Sequence, residues 1–445
     1  MTAGAVLNGR AGRKNYKLVP CSKKKKTSGE SSLPDELMFY ILVCIPAYVL
    51  YNSTRYVCRQ WYKIIHDPLF CKEHLLRSST GLLMQDPYTP HTGEFAEFGE
   101  MSATVTEINF MFPNRVLSTC NGLVLFRNPH DPSTLHVANP LTKQTVTVPP
   151  FKCHPDGSCI SFACAYSKME YKVLCTYGPD GGKHNCVMLT LGKDHAWKPI
   201  NRQKLSDRGW SMVRDCPLSV GQFLYWADHR EKSVVALDVE SELFIEFPSP
   251  AVWSFHSSIL YVERERTLSC SVMTYCRSLV DIFVLSDPMT GEWRMLYKID
   301  FGAQKHLSTC MDHASFPPSR AEAFFFAPVA WVNKGDVLVL YISRPSGIDG
   351  YFFAFNVKTG NFFKVGSKLY GTLKDFCCGY TQSLESPTPT ERRWRRSATE
   401  VFNEERLGSG DDGDLDLDDD SILKAISTSP GDLDLDGDLN LTGRP

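Results

Sequence analysis

The chain has 445 residues and a formal net charge of -2, and apolar residues make up 43% of it. At roughly 150 residues per domain, this length predicts about three structural units. The composition is ordinary for a globular protein, and it excludes wholesale disorder, a collagen-like repeat and a small disulfide scaffold.

The small net charge conceals two oppositely charged ends. Residues 1–30 carry eight basic residues and one acidic residue, and residues 411–445 carry eleven aspartates and two basic residues. The middle of the chain is neutral, which argues against direct electrostatic binding to nucleic acid. We expect the basic arm (1–31) and the linker with its acidic Asp/Leu tail (386–445) to be disordered, because both are polar and compositionally biased.

The 16 cysteines are scattered singly, and none has a second Cys or a His at a zinc-binding spacing. We therefore expect small buried thiols in a reducing compartment. The first ten residues lack a long apolar run, and no apolar stretch reaches 18 residues. These features predict neither a secretory signal nor a membrane span.

Residues 32–77 carry a helical pattern. Pro34, Asp35 and Glu36 suit a first helical turn, where a proline loses no hydrogen bond and acidic side chains are favoured. The helix should end at Pro46. A second helix is predicted from residues at i, i+4, i+7, i+8 and i+11, namely Leu50, Thr54, Val57, Cys58 and Trp61. A unit of about 45 residues is marginal alone and often relies on a partner.

From about residue 80 to 385, short β-rich runs alternate with turn residues, which is typical of an all-β body. One strand pattern, mostly starting at or near a glycine, recurs at 122–126, 170–174, 221–226, 267–272 and 335–340. A second pattern of two strands joined by a turn follows it at 136–142, 235–244, 282–293 and 353–362, with a weaker copy at 188–197.

The period near 48 residues predicts four-stranded propeller blades, with an irregular pair of β-sandwiches as the alternative. The long last step suggests an insertion around 301–320. The run 81–85 is expected to open one more blade, and 376–380 is expected to close the ring, which would leave few exposed sheet edges. The number of blades stays open.

The residues of the helical segment resemble the F-box motif in order and spacing. The matching residues are Leu33 to Leu37, Ile41, Leu42, Ile45, Pro46, Val57 to Trp61, Ile64 and Asp67 to Phe70. The β body is similar to the kelch-like F-box-associated region of plant F-box proteins. That resemblance rests on Cys120-Asn121-Gly122-Leu123, Asn139-Pro140-Leu141-Thr142, Tyr171-Lys172-Val173 and the run 221–226.

This resemblance implies a non-catalytic substrate receptor of an SCF ubiquitin ligase. The F-box would bind a Skp-type adaptor and through it a cullin, and the propeller would hold an unidentified target protein. The residues that the resemblance implies for the adaptor are Leu33, Pro34, Ile41, Leu42, Ile45, Pro46, Val57, Cys58 and Trp61. Some of them, Ile41 and Trp61 above all, could instead pack the F-box's own helices.

Candidate target anchors are aromatic residues and a histidine on the propeller, because inter-strand loops converge on one face and exposed aromatics anchor partners. They are Trp210, Trp226, His229, Trp253 and Phe316. Lys23, Lys24, Lys25 and Lys26 fit a nuclear import signal, so we expect nuclear or cytoplasmic localisation. The alternative function is a transcriptional co-regulator or scaffold that acts through the acidic tail.

Catalytic motifs are missing from the sequence. It has no Gly-x-Ser-x-Gly elbow, no Gly-x-x-x-x-Gly-Lys-Ser/Thr loop and no His-Glu-x-x-His spacing. We therefore predict no catalytic residue, no metal and no cofactor. An oxidase built on the propeller remains a third hypothesis, since spacing alone does not show which ligands converge.

Overall fold

The structure, a computed structural model, describes the chain between residues 33 and 387 with internal gaps. The described residues are 33–85, 91–110, 115–128, 131, 133–151, 159–178, 185–201, 205–213, 215–227, 233–250, 257–274, 279–301, 325–343, 350–369 and 377–387. They belong to one unit, which ends at Pro387. The basic arm with its import signal, the acidic tail and most of the expected insertion lie outside the described residues.

The helical unit, residues 33–77, contains four short α-helices and one 3-10 turn. They are α1 (Asp35–Leu42), α2 (Ala47–Asn52), the 3-10 turn (Thr54–Tyr56), α3 (Arg59–Ile65) and α4 (Pro68–Arg77). Helices α1 and α2 each follow a proline, and α4 begins at one. Asp67 Oδ1 accepts the N–H of Leu69 at 2.8 Å, which satisfies a free donor at the start of α4.

The second predicted helix is wrong as one continuous element. Ser53 leaves helical geometry after α2, and Cys58 is extended, with a φ of -161°. The Cys58 sulfur accepts the N–H of Trp61 and so caps α3. Val57 and Cys58, which a continuous helix would have placed on its apolar side, are exposed as a result.

Six four-stranded sheets form the rest of the described fold. The first three hold β1 (Gly81–Met84), β2 (Thr92–Phe98), β3 (Ala103–Asn109); β4 (Val116–Cys120), β5 (Leu123–Arg127), β6 (Leu135–Ala138), β7 (Thr145–Val148); and β8 (Cys159–Ala165), β9 (Glu170–Tyr177), β10 (Asn185–Thr190), β11 (Lys198–Pro199). A short helix, α5 (Asp207–Met212), precedes the fourth sheet.

The six sheets are blades 1 to 6 of the propeller, numbered in chain order. The remaining strands form blades 4, 5 and 6, and the last strand, β24, joins blade 1. They are β12 (Leu218–Val220), β13 (Phe223–Ala227), β14 (Ser233–Asp238), β15 (Leu243–Pro248); β16 (Ser257–Arg264), β17 (Thr267–Thr274), β18 (Leu279–Asp287), β19 (Glu292–Asp300); β20 (Phe325–Val332), β21 (Val337–Ser343), β22 (Gly350–Asn356), β23 (Phe362–Leu369); and β24 (Cys377–Tyr380). The strand order within each blade is sequential, except that β24 is the innermost strand of blade 1.

The predicted propeller is confirmed, and the β-sandwich alternative is not. The five copies of the first repeat are β5, β9, β13, β17 and β21, the second strand of blades 2 to 6. Ring closure is confirmed as well, because β24 pairs with β1 in the register Gly81 opposite Tyr380. The innermost strand of the first blade therefore comes from the far end of the β body, and the ring has no open edge there.

Each pair of neighbouring blades buries its own apolar cluster. Blades 3 and 4, for example, share one that includes Leu174, Met188, Leu224 and Leu237. Polar anchors recur between the outer strands: Trp197 Nε1 donates to the Pro149 carbonyl, and Trp293 Nε1 donates to the Pro248 carbonyl, both at 2.9 Å. The same Trp–Pro contact thus recurs at two of the boundaries between blades.

The propeller has two unlike faces. At the hairpin face, each innermost strand of blades 2 to 6 turns into the second strand of its blade, and β24 ends there beside the start of β1. At the opposite, crossover face, the chain passes from blade to blade. Helix α4 leads directly into β1, so the helical unit lies at the hairpin face, where Tyr51 Oη donates to the Thr142 carbonyl at 3.1 Å.

The expectation of free thiols is wrong at one place. Cys159 at the start of β8 and Cys216 just before β12 form a disulfide, with Cα atoms 5.1 Å apart. The innermost strands of blades 3 and 4 both begin at the crossover face, which brings the two cysteines together. Their spacing in the sequence does not by itself indicate a disulfide. Six other cysteines of the described residues are buried, among them Cys120, Cys164 and Cys270.

Within the described residues no single helix is long and apolar enough to cross a membrane. In the same part of the chain, one pair, Asp35–Leu42 and Ala47–Tyr56, bent by 120°, reaches the required length and composition together.

Candidate functional site

The helical unit leaves many large apolar side chains in solvent. Those with more than two fifths of their surface exposed are Leu33, Leu37, Tyr40, Ile41, Tyr48, Tyr56, Val57, Leu69 and Leu76. On α1, Leu37, Tyr40 and Ile41 are spaced i, i+3 and i+4, so they form one exposed stripe. The opposite side of α1 is buried through Met38 and Leu42. A helix that is apolar on two sides indicates a partner for the second side.

The nine residues predicted to face an adaptor fall into three groups. Six are exposed, namely Leu33, Pro34, Ile41, Pro46, Val57 and Cys58. Ile45 and Trp61 are half-buried and pack against the core of the helical unit. Leu42 is 0% exposed, so its assignment is corrected: it lies in that core beside Leu50 and Phe70 and has no surface for a partner.

Sequence reasoning omitted several exposed residues of this surface. Leu37 and Tyr40 belong to the α1 stripe, and their i, i+3, i+4 spacing with Ile41 was the available signal. Tyr48, Tyr56 and Leu69 carry no such signal, because their exposure depends on how α2, the 3-10 turn and α4 end. Gln60 Nε2 donates to Asp35 Oδ1 and ties α3 to the start of α1, which holds the stripe in place.

A buried histidine supports this surface from inside. One ring nitrogen of His74 lies 2.8 Å from the Ile45 carbonyl oxygen, and the other lies 3.2 Å from Ser78 Oγ. Because His74 is buried, desolvation lowers its pKa below the usual value and the neutral ring is favoured. The contact fixes the turn between α1 and α2 against α4.

A channel of about 850 Å³ runs between the innermost strands and is bordered by the end of α4. Arg266 reaches across its hairpin end, with the guanidinium 4.8 Å from the centre of the Tyr166 ring. Tyr166 Oη in turn donates to Asn121 Oδ1 at 3.0 Å. Shielding from bulk water raises the pKa of Glu263 to about 7, although Arg266 and the N–H groups of Gly221 and Arg266 favour its charged form.

Two described side chains at the hairpin end of the channel, a thiol and a phenol, are held protonated. Burial raises the pKa of the Cys120 and Tyr166 side chains well above their usual values, which keeps the thiol and the phenol protonated. Among the described residues, no group of three or more His, Cys, Asp or Glu side chains is placed to hold a metal ion. In the described part of the channel, Cys120 and Tyr166 are therefore not activated nucleophiles.

Two of the predicted target anchors can be placed. Trp226 is 3% exposed, packs between blades 3 and 4 and donates through Nε1 to the Asp215 carbonyl at 2.8 Å. Its assignment as an anchor is corrected, since a buried indole cannot contact a partner. Trp210 is half-buried against Phe244. His229, Trp253 and Phe316 lie outside the described residues.

Comparison with known proteins agrees with this architecture. The family described as "F-box associated beta propeller domain" matches residues 88–345, and the family described as "F-box-like" matches residues 31–77. Among similar Arabidopsis thaliana proteins, "F-box protein At3g08750" is 26% identical over 48% of this chain and 59% of its own length.

A second relative, "Putative F-box protein At4g21240", also from Arabidopsis thaliana, is 25% identical over 59% of this chain and 67% of its own length. The chain thus spans between about half and two thirds of the length of these curated relatives. The first family covers more than half of the chain. The chain therefore belongs to the F-box associated β-propeller family, and its helical unit is an F-box.

Proposed function

We propose that this protein is the substrate-recognition subunit of an SCF ubiquitin ligase and is itself non-catalytic. Its F-box binds a Skp-type adaptor, and through it a cullin, while its propeller binds the protein to be ubiquitylated. The observation that carries the proposal is the exposed stripe of Leu37, Tyr40 and Ile41 on α1, about half of whose surface is in solvent. An apolar helix face of this kind is what a helix-in-groove contact uses.

The target is proposed to bind at the crossover face. The F-box occupies the hairpin face, so the crossover face is the end of the propeller left for a second partner. An aromatic pair marks it: Phe151 follows β7, Tyr177 ends β9, and their ring centres lie 5.2 Å apart. Partly exposed aromatic rings of this kind anchor protein partners.

The test of the adaptor contact is direct binding of the purified adaptor to the full chain. Leu37→Asp combined with Ile41→Asp should weaken binding at least 100-fold, because two charges would be buried in an apolar contact. Met289→Asp combined with Met295→Asp is the matched control, since these two side chains are as exposed but lie on blade 5. Equal binding by both double variants would overturn the proposal.

The target contact needs a separate measurement. The variant with Leu37→Asp and Ile41→Asp should bind a target that is then not ubiquitylated. A variant with Phe151→Ala and Tyr177→Ala should no longer bind that target, while its binding to the adaptor stays unchanged. If the trapped target is retained by the aromatic variant and lost on deletion of residues 388–445, the scaffold alternative is favoured instead.

A further inference from the structure

Two turns on the hairpin face contain the sequence motifs that carry the family resemblance, Cys120 to Leu123 and Asn139 to Thr142. Both turns contact the same short segment, residues 381–387, which follows ring closure and is called the strap here. We propose that these turns form a docking surface for the strap, and that the strap fixes the F-box to the propeller. The F-box is then complete only when the ring is closed.

The first turn leaves no room for anything but glycine beside the strap. Ser383 Oγ donates to the Asn121 carbonyl at 2.6 Å, and Tyr380 Oη donates to the Gly122 carbonyl at 2.9 Å. A Cβ at Gly122 would lie 2.3 Å from Ser383 Oγ, and the φ of +79° already favours glycine there. The glycine of this motif is therefore explained by strap packing as well as by the turn.

The second turn clamps the strap with one fully buried amide. Asn139 Nδ2 donates to the carbonyls of Ser383 and Glu385 at 2.9 and 2.8 Å. Its Oδ1 accepts the N–H groups of Leu141 and Thr142. Asn139 is 0% exposed, so both amide hydrogens and the oxygen of one buried side chain are satisfied.

The strap continues into the F-box core. Leu384 is 6% exposed and belongs to the cluster of Leu42, Leu50 and Phe70. Leu141, from the second turn, packs against the same cluster. The propeller and the strap thus supply apolar side chains to an F-box that is marginally large enough to fold alone.

Equivalent turns in other blades show what the amide adds. In blades 4 and 5 the position is Asp238 and Asp287, whose Oδ1 atoms accept the N–H groups of Glu240 and Met289. In blade 6 it is Asn356, whose Oδ1 accepts from Lys358 and Thr359. An oxygen is enough to hold such a turn, so the donor side of Asn139 serves the strap.

The test is Asn139→Asp in the full chain, followed by amide hydrogen exchange without adaptor. Aspartate keeps the oxygen that holds the turn, as in blades 4 and 5, but removes both donors to the strap. Exchange should become at least tenfold faster across α1 to α4 and stay unchanged in the strands. Asn356→Asp, the same change at the equivalent but partly exposed turn position of blade 6, should leave both regions unchanged.

A second variant, Leu384→Ala, keeps the backbone contacts of the strap and removes its apolar side chain from the F-box core. It should speed F-box exchange in the same selective way, and it decides the matter if Asn139→Asp does not fold. Unchanged F-box exchange in Leu384→Ala, or equal acceleration in strands and helices, would overturn the proposal. Because no adaptor is present, this outcome is independent of whether the proposed ligase function holds.

Discussion

The F-box and the propeller treat their apolar side chains in opposite ways. In the F-box, the exposed large apolar residues outnumber those of the whole described propeller, where they are Met101, Val105, Leu243, Met289 and Met295. The propeller buries apolar surface of each blade against the next blade. The difference indicates that contacts between neighbouring blades stabilise the propeller, whereas the F-box keeps apolar surface for contacts with segments outside its own helices.

The same contrast holds for how each core is completed. Blade 1 is closed by β24, so the propeller uses strands from both ends of its own sequence. The F-box core is completed by Leu384 and Leu141, which come from outside the helical unit. The smaller domain should therefore respond more strongly than the larger one to loss of a single buried side chain.

The largest expected effect comes from Phe70→Ala. Phe70 is fully buried in the F-box core, with its ring 5.2 Å from that of Phe39. Loss of a buried phenylalanine costs about 3–5 kcal/mol, which is comparable to the stability that a core of this size supplies. The F-box should unfold while the propeller stays folded, which hydrogen exchange can measure region by region.

Phe162→Ala is the matched change in the propeller. Phe162 is also fully buried, and its ring stacks on Tyr171 at 5.4 Å. A similar loss should lower the unfolding midpoint of the propeller without unfolding it at 25 °C, because many other clusters remain. If Phe70→Ala left the exchange of α1 to α4 slow, the F-box would not be the weaker domain.

The next effect is reduction of the Cys159–Cys216 disulfide, which closes a loop with a sequence separation of 57 residues around blade 3. Cross-links that close such loops stabilise proteins by about 2–4 kcal/mol, mainly by restricting the unfolded chain. Reductant should lower the urea midpoint of the propeller and leave F-box exchange unchanged. Cys216→Ser should show the lower midpoint with or without reductant; an unchanged wild-type midpoint in reductant would contradict the expectation.

Much of the propeller was predictable because each second strand is buried and starts at a tight turn. The copies at 122–126 and 335–340 stand out for that reason and coincide with β5 and β21. Blade 1 was harder, since β1 and β24 come from opposite ends of the body and show no repeat. Their pairing follows from ring closure, which is a property of the whole chain.

The candidate site was less predictable, because exposure depends on tertiary contacts. Leu42 and Ile41 are adjacent in one helix and both fit the motif, yet one is buried and the other is exposed. Trp226 looked like a surface anchor but packs between two blades. The partners of Asn139 lie 244 and 246 residues away, a separation at which a single sequence shows no pairing signal.

A smaller effect is expected from Gly122→Ala, measured as the change in urea midpoint and in F-box exchange. The new methyl group would meet Ser383 and the Thr381 carbonyl oxygen, so the strap must shift. We expect a loss of about 1–3 kcal/mol, as for overpacking at a crowded site. The effect should appear in the F-box as well as in the propeller.

Gly360→Ala separates crowding from backbone strain. Gly360 has a similar φ, +72°, but nothing lies within 4 Å of its Cβ position. This variant should cost about 1 kcal/mol, as for a residue held at positive φ, and should leave F-box exchange unchanged. If Gly122→Ala and Gly360→Ala changed the hydrogen exchange of the F-box equally, contact with the strap would not be what stabilises the F-box.

The last expected effect is a pH dependence of opposite sign in the two domains. The folded pKa of His74 is lowered, so its neutral form contributes stability that is present above the unfolded value of 6.5 and is lost as the pH falls through the folded pKa. The folded pKa of Glu263 is raised from 4.5 to about 7, so its contribution is present at low pH and is lost as the pH rises through 7.

Acidification from pH 7.5 to 5.5 should therefore loosen the F-box and tighten the propeller. The measurement is the urea midpoint of each domain at these two pH values, in the wild type and in the variants Glu263→Gln and His74→Gln. Relative to Glu263→Gln, the wild-type propeller should gain stability on acidification, because Gln cannot take up the proton that the shielded carboxylate gains. Relative to His74→Gln, the wild-type F-box should lose stability, because desolvation disfavours the charged form of the buried imidazole, whereas Gln does not titrate. Parallel pH profiles for wild type and both variants would show that neither group is titrated differently on folding, and the two domains would then differ in packing alone.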